Sequence, residues 1–127
     1  MAIYVTKSFM PPLSEYQALI NQIYESSILT NGGPMVRKLE SRLCEYLGVE
    51  NFHYLTNGTI ALQLALSAMN IDDGEIITTP FSYVATTSSI LWQRCKPVFV
   101  DIEPNNFTID ATKIEAAITP KTRAIMA

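Results

Sequence analysis

The chain has 127 residues, 48% hydrophobic and 17% charged, which suits a folded domain with a core and excludes a disordered polyelectrolyte. Nine Lys and Arg against 12 Asp and Glu give a net charge of -3. The cations are scattered, with no basic stripe, so nucleic-acid binding is not expected. No run approaches the roughly 20 consecutive apolar residues of a membrane span, and residues 1–7 lack the basic start and long apolar stretch of a signal peptide. The expected compartment is therefore the cytoplasm, with no membrane partner.

Residues 1–12 read as an extended N-terminal arm that ends at Pro11 and Pro12. Ser14 is expected to cap a helix running to about Ser26, with Leu13, Ala18, Leu19, Ile23 and Tyr24 near helical spacing. Residues 28–34, Ile-Leu-Thr-Asn-Gly-Gly-Pro, form a loop rich in turn residues, and Pro34 falls in the first turn of the next helix. That helix runs to about Leu47 and is stopped by Gly48. Met35, Val36, Leu39, Leu43, Tyr46 and Leu47 make its apolar stripe.

From residue 51 onward strands and helices alternate. Strands are expected at 51–56, 75–79, 97–101 and 122–126, and helices at 59–69, 83–94 and from Ile109-Asp110 to about Ile118. The order β-α-β-α-β-α-β implies an α/β fold, a mostly parallel sheet flanked by helices. Ligands of such sheets bind beyond the carboxyl ends of the strands. The Asn57-Gly58-Thr59 turn, the Pro80–Tyr83 turn and Asp101 all follow strands and are expected on that one rim.

The junction at residues 54–62, Tyr-Leu-Thr-Asn-Gly-Thr-Ile-Ala-Leu, carries the clearest chemical signal. The first N–H groups of a helix have no partner inside it, and the helix dipole adds positive charge there, so a phosphate fits. Gly58 lets the backbone approach an anion closely, and Thr59 adds a hydroxyl donor. The same residues also make an ordinary turn with an N-cap, and both readings stand at this point. The Gly-Lys-Ser/Thr ending of a Walker A loop and the three spaced glycines of the dinucleotide fingerprint are both missing. Cys44 and Cys95 lie far apart in helical patterns and read as buried thiols; the lone His53 has no second ligand nearby, so no metal is expected.

Four blocks in register carry a resemblance to a known family. They are residues 28–40, with Thr30-Asn31-Gly32-Gly33-Pro34 followed by Val36-Arg37-Lys38-Leu39-Glu40; residues 56–62; residues 75–86, with Thr79-Pro80-Phe81-Ser82-Tyr83; and residues 97–102. The sequence resembles the DegT/DnrJ/StrS family of pyridoxal-phosphate (PLP)-dependent nucleotide-sugar aminotransferases, over essentially the whole chain from residue 10. The resemblance implies residues 13–127 as the N-terminal part of a fold-type-I aminotransferase large domain, behind an arm of residues 1–12. It implies pyridoxal 5'-phosphate as cofactor, with Gly58 and Thr59 at its phosphate and Tyr83 stacked on its pyridine ring. From the residues alone, the preferred reading of Tyr83 is an ordinary half-buried aromatic at a helix start.

The resemblance further implies transfer of an amino group from glutamate to a nucleotide-linked keto sugar, a dTDP-4-keto-6-deoxyhexose by overall similarity. The implied setting is surface-polysaccharide synthesis, such as lipopolysaccharide O-antigen, by a homodimer. No catalytic residue is assigned. The Schiff-base lysine and the carboxylate facing the pyridine nitrogen are expected beyond Ala127, and none of Lys7, Lys38, Lys96, Lys113 and Lys121 is in their place. Asp101 reads as a polar strand end, and Thr30 and Asn31 as turn formers or sugar-nucleotide contacts. The apolar strand pattern at 124–127 adds the expectation of a fragment of a longer protein, inactive by itself. Two alternatives stay open: a PLP-dependent sugar dehydratase of the same family, and a non-catalytic binding or assembly module.

Overall fold

Two helices form the first of the chain's two units, Met1–Tyr54, and a small sheet with helices forms the second, Leu55–Ala127. The computed structural model describes residue 3 and residues 5–127. Met1, Ala2 and Tyr4 of the expected arm lie outside the described residues; the rest of the arm carries neither helix nor strand.

Helix α1 spans Leu13–Ser26 and α2 spans Pro34–Leu47. Ser14 does not cap α1. The cap is Pro12, whose carbonyl accepts from the N–H groups of Glu15 and Tyr16 at 3.0 and 3.2 Å, which leaves Ser14 inside the first turn. Glu15 supplies the negative charge that the helix start favours. Pro34 opens α2 behind Gly33, and Gly48 closes it at φ +66°, a left-handed geometry that costs glycine least. No side chain of α1 or α2 is fully buried. The expected strand at 51–56 does not form: its backbone enters no ladder, and the Tyr54 N–H donates to Glu40 Oε1 at 2.9 Å. A strand needs a neighbouring edge to pair with, and alternating side chains alone do not supply one.

The second unit runs α3 (Gly58–Ala68), β1 (Glu75–Thr78), α4 (Val84–Trp92), β2 (Lys96–Phe99), α5 (Ala111–Ala117) and β3 (Thr122–Ile125). The sheet order is β2-β1-β3 and every pairing is parallel, with Ile76 and Ile77 opposite Pro97 and Val98 on one side and Ala124 and Ile125 on the other. Central β1 is buried along its whole length, which is why Glu-Ile-Ile-Thr reads as a run rather than an alternation. Pro97 sits in β2, which has a single neighbour in this sheet, where a missing N–H is tolerated.

Several boundaries are shorter than expected. Helix α4 stops at Trp92, Arg94 turns the chain at φ +60°, and Cys95 therefore lies after the helix rather than in it. Strand β2 ends at Phe99, not Asp101. Asp110 caps α5 by accepting from Thr112 N–H at 3.0 Å. Cys95 is 3% exposed, whereas Cys44 is only half-buried. Burial pushes the Cys95 thiol pKa up, with Asp73 and Asp72 adding to it.

Leu66 of α3, Ile76 of β1, Ile90 of α4 and Cys95 form the core, with Ile71, Ala124 and Met126 packed on it. Strand pleating sends Ile77 to the opposite face. At the amino ends of the strands, Glu75 ties all three together. It accepts from Thr119 Oγ1 at 2.7 Å and Lys96 Nζ at 3.1 Å, and its own N–H donates to the Lys121 carbonyl at 2.8 Å. The Thr119 hydroxyl first, and then Lys96, hold the Glu75 carboxyl below the usual glutamate range.

Candidate functional site

Parallel strands place the β1–α4 and β2–α5 turns on one rim, and the β2-β1-β3 order makes β1 the switch point. From β1 the chain goes to one side through α4, and from β2 it crosses to the other side through α5. Right-handed crossovers then put the two helices on opposite faces and open a crevice at the carboxyl end of β1.

Helix α3 brings its own start to that rim. Ser89 Oγ donates to the Thr59 carbonyl at 3.4 Å, and Gln93 Nε2 to the Gln63 carbonyl at 3.0 Å. Each helix advances four residues between these contacts, so α3 and α4 run side by side in the same direction. Gly58 is then level with Ser88, and α4 begins four residues earlier, an overhang of about 6 Å at 1.5 Å per residue. Tyr83, the N-cap of α4, stands one turn above the floor formed by Asn57, Gly58 and Thr59.

That floor suits an anion. Asn57 caps α3: its Oδ1 accepts from Ile60 N–H at 3.0 Å and its carbonyl from Ala61 N–H at 3.2 Å. The N–H groups of Gly58 and Thr59 come before the first intrahelical acceptor and face outward. The turn is thus both an N-cap and a free donor pair. Gly58 is not at positive φ, and a Cβ built there would meet nothing within 4 Å. Neither backbone nor packing requires glycine, so the open space lies outside the chain, where a phosphate's oxygens would sit. Thr59 is half-buried beside the pair.

Tyr83 is 78% exposed and its side chain makes no capping bond, which leaves its ring face free. Its carbonyl accepts from Thr86 N–H at 3.1 Å, and the Ser82 and Thr86 hydroxyls meet at 3.0 Å. A dianion at the floor and a flat heterocycle against the ring one turn above are what this step can hold. Gly58, Thr59 and Tyr83 are the residues of this step that could hold a phosphate and a flat ring.

Two residues near this rim carry no sequence signal. Thr78 ends β1 fully buried, and its Oγ1 has no hydrogen-bond partner among the described residues. Phe107 lies at φ +58° with its ring 5.8 Å from that of Phe81, centroid to centroid. Asp101 is exposed two residues beyond the end of β2: its Oδ1 accepts from Ile102 N–H at 2.8 Å and its carbonyl from Asp110 N–H at 2.9 Å. Lys96 is held by Glu75 at the far end of the sheet, and Lys113 by Asp110 at 3.2 Å, so neither is free to act on the rim. Among the described residues no group of His, Cys, Asp and Glu could hold a metal, and no helix is long and apolar enough to cross a membrane.

Comparison with known proteins bears on the family and the fold. Residues 13–127 match the sequence model of the DegT/DnrJ/EryC1/StrS aminotransferase family. The chain is 50% identical over 122 residues to a dTDP-4-amino-4,6-dideoxy-D-glucose transaminase of Escherichia coli, a match covering 96% of this chain and 33% of that protein. It therefore spans about a third of the length of the curated relatives it matches. Its fold superposes on crystalline DesI, solved with its TDP-sugar product, at a TM-score of 0.80 and 32% identity over 90% of this chain and 29% of that one. A sugar aminotransferase, Spr1654 of Streptococcus pneumoniae in its PLP form, gives 0.73 and 32% over 86% and 29%. These matches establish the fold as part of the fold-type-I aminotransferase fold, and by the family match over residues 13–127 this chain belongs to the DegT/DnrJ/EryC1/StrS aminotransferase family.

Proposed function

We propose that this chain is the cofactor-phosphate portion of a PLP-dependent aminotransferase that acts on a nucleotide-linked keto sugar. The observation that carries the reading is the step at the rim, with the two unpaired N–H groups of α3 below and the exposed ring of Tyr83 one turn above. Gly58 and Thr59 would hold the phosphate through their backbone N–H groups, with the Thr59 hydroxyl as a further donor. Tyr83 would cover one face of the ring and keep water from it. Bound PLP supplies an electron sink for the amino-transfer chemistry.

Similarity to the dTDP-4-amino-4,6-dideoxy-D-glucose transaminase favours a dTDP-4-keto-6-deoxyhexose as acceptor. Glutamate as donor, and surface-polysaccharide synthesis in the cytoplasm as the setting, are part of the proposal and rest on the family resemblance. Residues 13–127 belong in this reading to the large domain, behind an arm of residues 1–12. A homodimer is favoured by the apolar side chains left exposed on α1 and α2, such as Leu13, Tyr16, Tyr24 and Tyr46. The test is to titrate the intact protein with PLP, then supply glutamate and the keto sugar nucleotide. Saturable binding that Tyr83→Ala and Gly58→Ala weaken, with amino sugar and 2-oxoglutarate formed in equal amounts, is the expected result. Binding of PLP indifferent to both substitutions would overturn the site, and deoxygenation of the sugar without amine transfer would overturn the reaction.

A further inference from the structure

We infer that Phe107 is a positioning residue for Tyr83, acting through Phe81 to hold the β1–α4 turn where the ring of Tyr83 meets the cofactor. The inference rests on the PLP reading above. Phe107 directly follows the turn at residues 104–106, on the returning limb of the excursion between β2 and α5. The base of that excursion is closed by the Ile102–Ile109 bridge and by Asp110 N–H donating to the Asp101 carbonyl at 2.9 Å. Inside it, Glu103 N–H donates to the Thr108 carbonyl at 2.9 Å and Phe107 N–H to the Glu103 carbonyl at 3.0 Å. These bonds fix Phe107 with respect to the end of β2.

Phe107 takes φ +58° there, a region bulky residues avoid because Cβ crowds the following carbonyl. Glycine or asparagine would take this conformation with less strain. The aromatic side chain gains a contact that offsets the strain: it leans on Phe81 at 35° between planes. Phe81 is two residues before Tyr83, and its N–H donates to Thr79 Oγ1 at 3.3 Å. Both rings are more than half exposed, 62% for Phe81 and 57% for Phe107, so the pair adds little to the buried core. Its consequence is to join the two turns of the rim.

The test uses the intact protein with Phe107→Gly and Phe107→Asn, which keep the left-handed turn and remove the ring, and Phe107→Tyr, which keeps the ring. Without cofactor, amide exchange at residues 81–84 is measured by mass spectrometry. With PLP, affinity and the circular dichroism of the bound ring are measured. For Gly and Asn the expected results are unchanged or higher thermal stability and exchange faster by about two- to tenfold, the coupling of an aromatic pair. Weaker PLP binding and diminished dichroism should accompany them, all restored in Phe107→Tyr. Unchanged exchange overturns the inference, as does faster exchange with normal dichroism and affinity. If the wild-type protein itself fails to bind PLP while Tyr83→Ala changes nothing, the cofactor reading has failed, and the inference falls with it.

Discussion

Replacing Gly58 with alanine should move stability and cofactor affinity in opposite directions. Gly58 is the first residue of α3, is not at positive φ, and has open space where a Cβ would stand. Alanine at such a position stabilises a fold by about 0.4–1 kcal/mol, because the unfolded chain loses freedom. The new methyl, however, tilts toward the helix N-terminus, as every helical Cβ does. It would stand in front of the two unpaired N–H groups, where a phosphate oxygen must come. Losing one hydrogen bond to a charged acceptor costs about 1.5–3 kcal/mol, a 10- to 150-fold rise in Kd. Urea unfolding without cofactor and a PLP titration, each on wild type and Gly58→Ala, read the two quantities separately. Equal PLP affinity in the two proteins would refute the reasoning about the α3 start. A large loss of stability would refute the claim that the space belongs to a ligand rather than to the fold.

Tyr83→Ala should change stability by no more than about 0.5 kcal/mol, as for other exposed side chains, while PLP affinity falls and Tyr83→Phe retains it; a drop in thermal midpoint as large as the affinity loss would argue against a ligand-facing ring. Glu75 has a lowered carboxyl pKa in the folded state, so its stabilising effect is present above the unfolded-state pKa and lost as pH falls through the folded one. Glu75→Gln should therefore be less stable than wild type at neutral pH and converge with it in acid, read by urea unfolding across that range. Gly74→Ala should destabilise more than the usual glycine substitution, because φ is +90° and the added Cβ would lie 2.7 Å from both the Lys121 carbonyl and Arg123 Cγ; equal urea midpoints would contradict it. Ile76→Ala, at the centre of the core, should cost about 2–5 kcal/mol by the same assay.

The amino-acid order determined the helices and the alternation of elements through residues that act locally. Gly48 stops α2 because left-handed φ costs glycine least, and Asn57 caps α3 because its short carboxamide reaches Ile60 N–H. The buried run of β1 was legible for the same reason, being apolar on both faces. Gly58, Thr59 and Tyr83 were singled out from their places after strands and from the family resemblance. Other features depend on partners distant in sequence. Residues 51–56 have the side chains of a strand but no edge to pair with, so no strand forms there. The β2-β1-β3 order, with its switch point at β1, follows from which strands meet, and pattern alone does not say. The parallel run of α3 and α4 rests on contacts such as Ser89 to Thr59, thirty residues apart, and that alignment puts Tyr83 a turn above Gly58. The strained Phe107 leaning on Phe81 and the orphaned hydroxyl of Thr78 are likewise invisible until the chain folds. Local sequence supplied the helix start with its outward N–H groups and the aromatic residue, and tertiary packing set the height between them, because only long-range contacts fix one helix against another.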